Sequence, residues 1–188
     1  MRVSSILAAT LAALASVWPL ASSSTLAIEL VNGRSSFKKA LGFMGATTTY
    51  NETDVWGARY YFTLSIPENA GEALGRVTIN QRQGFETIDF KLKSTQAFVG
   101  TPRNQGERLT LKAVNQDPQS PTISLTFDPP VQPGTTVTIE LRPVRNPSFS
   151  GVYIFGVTAF PAVENPYGLY LGVGRLQFYD SRPDFFFR

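Results

Sequence analysis

Residues 127–160 read FDPPVQPGTTVTIELRPVRNPSFSGVYIFGVTAF, and this stretch decides the fold. Pro129, Pro130 and Pro133 have no N–H to donate to a sheet ladder, so residues 128–134 read as a connection. Pro133-Gly134 suits the middle of a type II turn, because proline presets φ at the first central position and glycine accepts a positive φ at the second. Thr136 to Arg142 then alternates. Val137, Ile139 and Leu141 point one way, while Thr136, Thr138, Glu140 and Arg142 point the other, which predicts a strand with one face in a core and one in water. Val152 to Phe160 is apolar on both faces and predicts a strand covered on both sides or lying at an interface.

The same grammar extends upstream. Tyr60, Phe62, Leu64 and Ile66 share one face of a strand. Pro67 to Leu74 reads as a single helical turn, with Glu68 near the positive end of its dipole. Arg76 to Arg82 is a strand with Val77 and Ile79 inward. Thr87 to Lys93 alternates again, Ile88, Phe90 and Leu92 against Asp89, Lys91 and Lys93. A short strand at Ala97–Gly100, a loop at 101–108, and strands at 109–115 and 121–127 follow. Downstream, 161–172 reads as a loop carrying Tyr167 and Tyr170, and Gly174–Tyr179 as a last strand with Val173, Leu176 and Phe178 as apolar contacts. Residues 28–59 are less regular, with β-prone segments at Ile28–Val31 and Ala46–Tyr50. Together these predict an all-β, antiparallel, immunoglobulin-like sandwich of about nine short strands, with at most one or two helical turns.

The chain has 188 residues, of which 43% are hydrophobic and 16% charged, a balance that suits a packed core. The formal net charge of +3 is spread along the chain without a basic run, so nucleic acid is not an expected partner. There is no cysteine and no histidine. Disulfides, thiolate nucleophiles, serine–histidine triads and histidine-ligated metals are thereby excluded within this chain. No cofactor and no metal site are expected. Glu52 and Asp54 match no calcium-loop spacing and read as a solvated turn.

Residues 1–27 read as a signal peptide: Arg2, an apolar run from Ile6 to Leu20, then small residues up to Ala27. The run is short for a membrane span, which needs about twenty residues, and an uncleaved membrane anchor is the alternative reading. The expectation is export to the periplasm or the cell surface, with cleavage near Ala27. A single domain at 28–179 and a tail at 180–188 carrying Phe185, Phe186 and Phe187 complete the division. No transmembrane span is expected after the leader is removed.

Several blocks resemble a known family. They are Leu64-Ser-Ile-Pro-Glu-Asn-Ala-Gly71, Gln96-Ala-Phe-Val-Gly-Thr-Pro102, Phe127–Thr136, Arg142-Pro-Val-Arg-Asn-Pro147, Gly151–Pro161, and Pro166-Tyr-Gly168 with Gly174–Tyr179. In this order they are similar to the cyanobacterial secreted domain of unknown function numbered 2808, from about Ala46 to Tyr179. The resemblance implies an exported, compact β domain. It implies no activity, ligand or catalytic residue.

Candidate site residues come from the loops. Arg145 and Asn146 offer donors to an anion or glycan, or tie down their own proline-rich loop. Tyr167, Tyr170 and Trp56 offer rings for stacking, or pack at the core rim. Phe185, Phe186 and Phe187 offer an apolar docking segment. The functional expectation is a non-catalytic envelope module that binds an envelope protein, glycan or lipid, or contributes structure. A histidine-free hydrolase of an envelope glycan or ester is the alternative. The loops 145–149 and 165–170 flank one strand and are expected at opposite ends of the domain.

Overall fold

The computed structural model describes residues 28–29, 34–117 and 119–180. The leader expected at 1–27 and the Phe185–Phe187 segment lie outside the described residues. Among the described residues twelve strands form: β1 (Ile28–Glu29), β2 (Ser35–Ser36), β3 (Gly42–Thr48), β4 (Tyr60–Ser65), β5 (Leu74–Gln83), β6 (Gln96–Thr101), β7 (Asn104–Leu109), β8 (Leu111–Gln116), β9 (Thr122–Val131), β10 (Thr136–Leu141), β11 (Gly151–Pro161) and β12 (Leu169–Phe178). Two antiparallel five-stranded sheets stack, in the orders β3-β4-β10-β6-β7 and β12-β11-β5-β9-β8, and β1 pairs with β2. The chain changes sheet repeatedly, from β4 to β5, β5 to β6, β7 to β8, β9 to β10 and β10 to β11. That crossing makes this an immunoglobulin-like sandwich.

Alternation places the core. Tyr60, Phe62 and Leu64 of β4 and Val137, Ile139 and Leu141 of β10 point inward. They meet Val77 and Ile79 of β5, Ile123 and Leu125 of β9, and Tyr153, Phe155 and Val157 of β11. Edge-to-face ring pairs knit the layers, with Phe155 centroids 5.5 Å from Phe62 and 6.4 Å from Tyr60, and Tyr153 5.5 Å from Phe178. Gly134 closes the β9–β10 turn at φ +80°. The expected helical turn is a 3-10 turn at Glu68–Ala70, with Pro67 as the residue just before it. A second 3-10 turn forms at Leu92–Ser94.

Four local expectations are corrected. β9 does not stop at Phe127 but runs through Pro129 and Pro130 to Val131, which pairs with Leu74. The register slips between Leu74 and Arg76, so the prolines occupy a bulge where no ladder N–H is required. Residues 104–109 form β7, an exposed edge strand hairpinned to β6, where a loop was expected. Its side chains from Asn104 to Arg108 are exposed and gave no alternation, and only Leu109 at its end packs against the core. Residues 87–91 form no strand; Phe90 makes a lone bridge to Pro143. Ile88 is buried and Phe90 packs against the core as the chain crosses between sheets, so this alternation plugs the end of the sandwich. Finally, Tyr170 lies on β12 rather than in a loop, and Val173 is exposed.

A fifth correction concerns β10 itself. Its outward side is not wet: Thr138 is 0% exposed and Glu140 3%. β10 is the middle strand of its sheet, so neighbours close over it from both sides. Thr138 lies opposite Thr63 of β4 and Phe98 of β6, and its hydroxyl donates to the Gly100 carbonyl at 2.6 Å with the Thr63 hydroxyl 3.0 Å away. Arg142 Nε donates to Glu140 Oε1 at 2.7 Å. The Arg59 guanidinium is held above its ordinary range by its hydrogen bond to the Tyr61 side chain and by the Glu140 charge.

Candidate functional site

Strand directions gather four segments at one end of the sandwich. These are the β3–β4 loop (49–59), the β5–β6 connection (84–95), the β10–β11 loop (142–150) and the exit of β12 at Tyr179. Asn146 joins them. It is fully buried, and its Oδ1 accepts from the Tyr60 hydroxyl at 2.9 Å. Its Nδ2 donates to the carbonyls of Tyr50 and Glu52 at 3.1 and 2.8 Å, and its backbone N–H donates to Val55 O at 2.8 Å. One side chain therefore bonds three groups, two of which, the Tyr60 hydroxyl and the Glu52 carbonyl, it alone satisfies, while the Tyr50 carbonyl also accepts from the Thr48 hydroxyl at 2.8 Å. Burial raises the Tyr60 hydroxyl well above the ordinary tyrosine range, so it remains a donor to Asn146.

Further bonds set the remaining loops. Asp54, at φ +60°, donates its N–H to Pro147 O, and its carboxylate accepts from Ser148 Oγ at 2.9 Å and from Arg145. The Glu86 carboxylate accepts the backbone N–H groups of Ser148 and Phe149. The Tyr153 hydroxyl donates to Phe149 O at 3.0 Å. Thr53 N–H donates to Tyr179 O, and Tyr179 N–H to Asn51 O. With backbone and carboxylate groups satisfied inward, the loops turn large rings outward. Trp56 is 67% exposed, Phe85 77%, Phe149 59%, Tyr179 54% and Tyr50 51%. Isolated exposed apolar residues are ordinary, whereas several on one end of a domain mark an interaction surface.

Open clefts accompany the rings here, one of about 210 Å³ lined by Gln83, Gly84, Phe85 and Val152 and one of about 440 Å³ between Thr87, Asp89 and the 116–121 turn. The cleft lined by Glu86, Asp89, Val144 and Arg145 holds about 90 Å³. That is room for a few waters and well below the roughly 300–1,000 Å³ of small-molecule sites.

The sequence-predicted site residues do not converge. Arg145 and Asn146 belong to this end, but Asn146 is wholly committed to the fold, and Arg145 is half exposed and paired with Asp54. Tyr167 stands at the opposite end, where its N–H donates to Ser35 O. Tyr170 projects from the outer face of β12 with the Arg82 guanidinium 4.5 Å from its ring centre. The two loops flanking β11 thus stand at its opposite ends, as their positions predict. Trp56 is the one stacking candidate at the aromatic end. Tyr50, Phe85 and Tyr179 were not singled out by the sequence. Their signal was present: a large ring set among turn formers, as in Gln83-Gly84-Phe85 and Pro147-Ser148-Phe149-Ser150-Gly151.

A family model described as "Protein of unknown function (DUF2808)" matches residues 34–178. No curated protein matches the chain. Among solved structures, the bacterial hydrophobin BslA aligns over 77% of this chain and 98% of its own at 13% identity, with a TM-score of 0.45. An uncharacterised protein from Nocardia farcinica, whose structure "reveals an immunoglobulin-like fold", aligns over 71% and 96% at 13% identity, TM-score 0.41. The collagen-binding domain of a Staphylococcus aureus adhesin aligns over 73% and 96% at 10% identity, TM-score 0.39.

Proposed function

The chain belongs to the DUF2808 family of proteins of unknown function, and from that premise we propose that it is an exported, non-catalytic binding module of a cyanobacterial cell envelope. It meets an envelope protein through the aromatic end. The observation that carries this reading is the set of five exposed rings on loops locked together by Asn146, Asp54 and Glu86. Aromatic residues on a pre-ordered scaffold lose little entropy when buried and dominate the energetics of protein interfaces. Glu52, Asp54, Glu86 and Asp89 lie among the rings or beneath them. Arg59, Lys91, Lys93, Arg142 and Arg145 belong to the same loops, so the rings sit within a mixed-charge rim of the kind that surrounds a protein-binding patch. The Glu86 carboxylate is engaged by two backbone N–H groups, a structural use of the most prominent acid in the cleft.

Two results test the reading. Intact mass of the exported material is expected to lack residues 1–27, as a cleaved leader requires; full-length chain confined to the cytoplasm refutes export. For docking, the tagged mature protein and its Trp56→Ser, Phe85→Ser and Phe149→Ser variants are compared for recovery of the same envelope protein. The exposed substitutions are expected to leave melting nearly unchanged and to reduce recovery at least tenfold in combination. Tyr167→Ser, at the far end, is expected to change nothing. Equal recovery by all variants removes the aromatic end from the interaction.

A further inference from the structure

The outer face of the sheet β12-β11-β5-β9-β8 differs in charge from the rest of the molecule. Its five strands contain Arg76, Arg82, Lys112 and Arg175 but a single acid, Asp128. Inward Val77 and Ile79 put Arg76 and Arg82 on the outer side of β5, and inward Leu176 puts Arg175 on the outer side of β12. Among the described residues, Arg76 and Arg82 form no ion pair, and Arg175 bonds only Gln177. The two β5 arginines are nonetheless held in place. The Arg76 guanidinium lies 4.1 Å from the Phe160 ring centre, and Arg82 lies 4.5 Å from that of Tyr170. Arg82 reaches Tyr170 by crossing Gly156, where a Cβ would stand 2.4 Å from its Nε. Phe160 lies over Gly168, where a Cβ would come within 2.6 Å of the ring. Two glycines therefore let two arginines and two rings lie flat.

We propose that this face binds an extended acidic polysaccharide, with the ring-seated guanidinium groups taking its carboxylates. A guanidinium fixed by stacking keeps its N–H edge free and pre-oriented for a carboxylate, and less side-chain entropy is lost on binding. Arg76 and Arg82 are six residues apart on β5, about 20 Å at strand rise. Hydroxyl and amide side chains lie between and beside them: Thr78, Asn80, Thr158 and Gln177. This sparse alternation of cation and hydrogen-bonding group fits a chain of hydroxylated rings with intermittent charge. Nucleic acid carries charge far more densely, about one per 1.7 Å of duplex, and calls for a tighter basic array. Anionic membranes are recognised by clusters of four to eight basic residues, often with apolar insertion; the four here are spread over β5, β8 and β12 rather than clustered, and Tyr170 is occupied by Arg82.

The full mature protein is titrated with polygalacturonate, with neutral dextran, with oligo-dT and with phosphatidylcholine vesicles carrying phosphatidylserine, at two salt concentrations. Polygalacturonate is expected to bind, more weakly at the higher salt, and dextran not to bind. Arg76→Gln with Arg82→Gln is expected to lower affinity at least tenfold at unchanged melting temperature. Arg82→Lys, which keeps the charge but loses the stacked fork, is expected to lower it several-fold. Gly156→Val, which unseats Arg82 without removing it, is expected to match Arg82→Lys, and should it fail to fold, Arg82→Lys carries the test. Trp56→Ser and Phe149→Ser are expected to bind polygalacturonate normally, so failure at the aromatic end and failure here are told apart. Absence of polygalacturonate binding overturns the proposal, as does full affinity in the arginine double variant. Tighter binding of oligo-dT or of the vesicles overturns it in favour of that partner.

Discussion

Ile139→Asp is expected to abolish folding, and Thr138→Asp, its neighbour on the opposite face, to cost about 3–5 kcal/mol. Ile139 is 0% exposed at the centre of the core, so an aspartate there has no partner and no water, a penalty above about 5 kcal/mol. By alternation alone Thr138 belongs to the solvent side, where a charge costs within about 0.5 kcal/mol. The structure reverses that expectation. Thr138 is equally inaccessible, and its hydroxyl is shared between Gly100 O and Thr63. Aspartate brings a carboxylate against the Gly100 carbonyl and two residues from buried Glu140. Thr138→Val keeps the shape and loses only the hydrogen bonds, at about 1–3 kcal/mol. Urea unfolding of the three variants checks the order Ile139→Asp, Thr138→Asp, Thr138→Val. A Thr138→Asp protein as stable as the parent means that the outer side of β10 is open to water.

The second large effect is expected at Asn146. Leucine there is nearly isosteric but leaves the buried Tyr60 hydroxyl and the Glu52 carbonyl without their partner, while the Tyr50 carbonyl keeps only the Thr48 hydroxyl. At about 1–3 kcal/mol for each buried group orphaned, the loss is on the order of 4 kcal/mol. The adjacent Arg145→Ala breaks a pair whose side chains are 46% and 43% exposed and is expected to cost less than about 1 kcal/mol. Amide exchange separates the two: in Asn146→Leu the 49–59 loop loses protection ahead of the strands, whereas in Arg145→Ala it does not. Equal stability for both variants means that Asn146 is not what holds this end together.

The inward faces of β4, β5 and β10 were legible because in each the apolar side chains of the core alternate with others over six residues or more. Alternation reports which residues leave water, but it is silent about the other side of the sheet. Thr136, Thr138, Glu140 and Arg142 gave the same polar signal whether that side met water or its own neighbours. Strand position in the sheet decides between them, and that is a long-range property. β7 was illegible for the converse reason, since an edge strand with no buried face has no period to read. Pro129-Pro130 ended β9 by local rule, and a bulge made room for them. At the candidate site, donors at 145–146 and rings at 167–170 were read by residue type. The sequence did not show that Asn146 points inward or that Tyr170 lies on a strand beneath an arginine. The gathering of Tyr50, Trp56, Phe85, Phe149 and Tyr179 depends on the ends of three loops and one strand meeting in space. No window of sequence contains that meeting.

The chain enters and leaves the sandwich at opposite ends. Ser35 is bonded to Asn165 and Tyr167 beside the start of β3, while Tyr179 is bonded to Asn51 and Thr53 at the far end of β12. Gly174 of β12 lies against Ala46 and Phe43 of β3, so the first and last long strands close the same flank. A tensile load applied through residues 34 and 180 therefore runs lengthwise along these two strands. It drags β3 past β4 and β12 past β11 in shear, loading each row of ladder bonds simultaneously instead of peeling them one at a time. The body is a tie-bar: resistant to pulling from its two ends, and easiest to open by prying its uncovered β7 and β8 edges sideways.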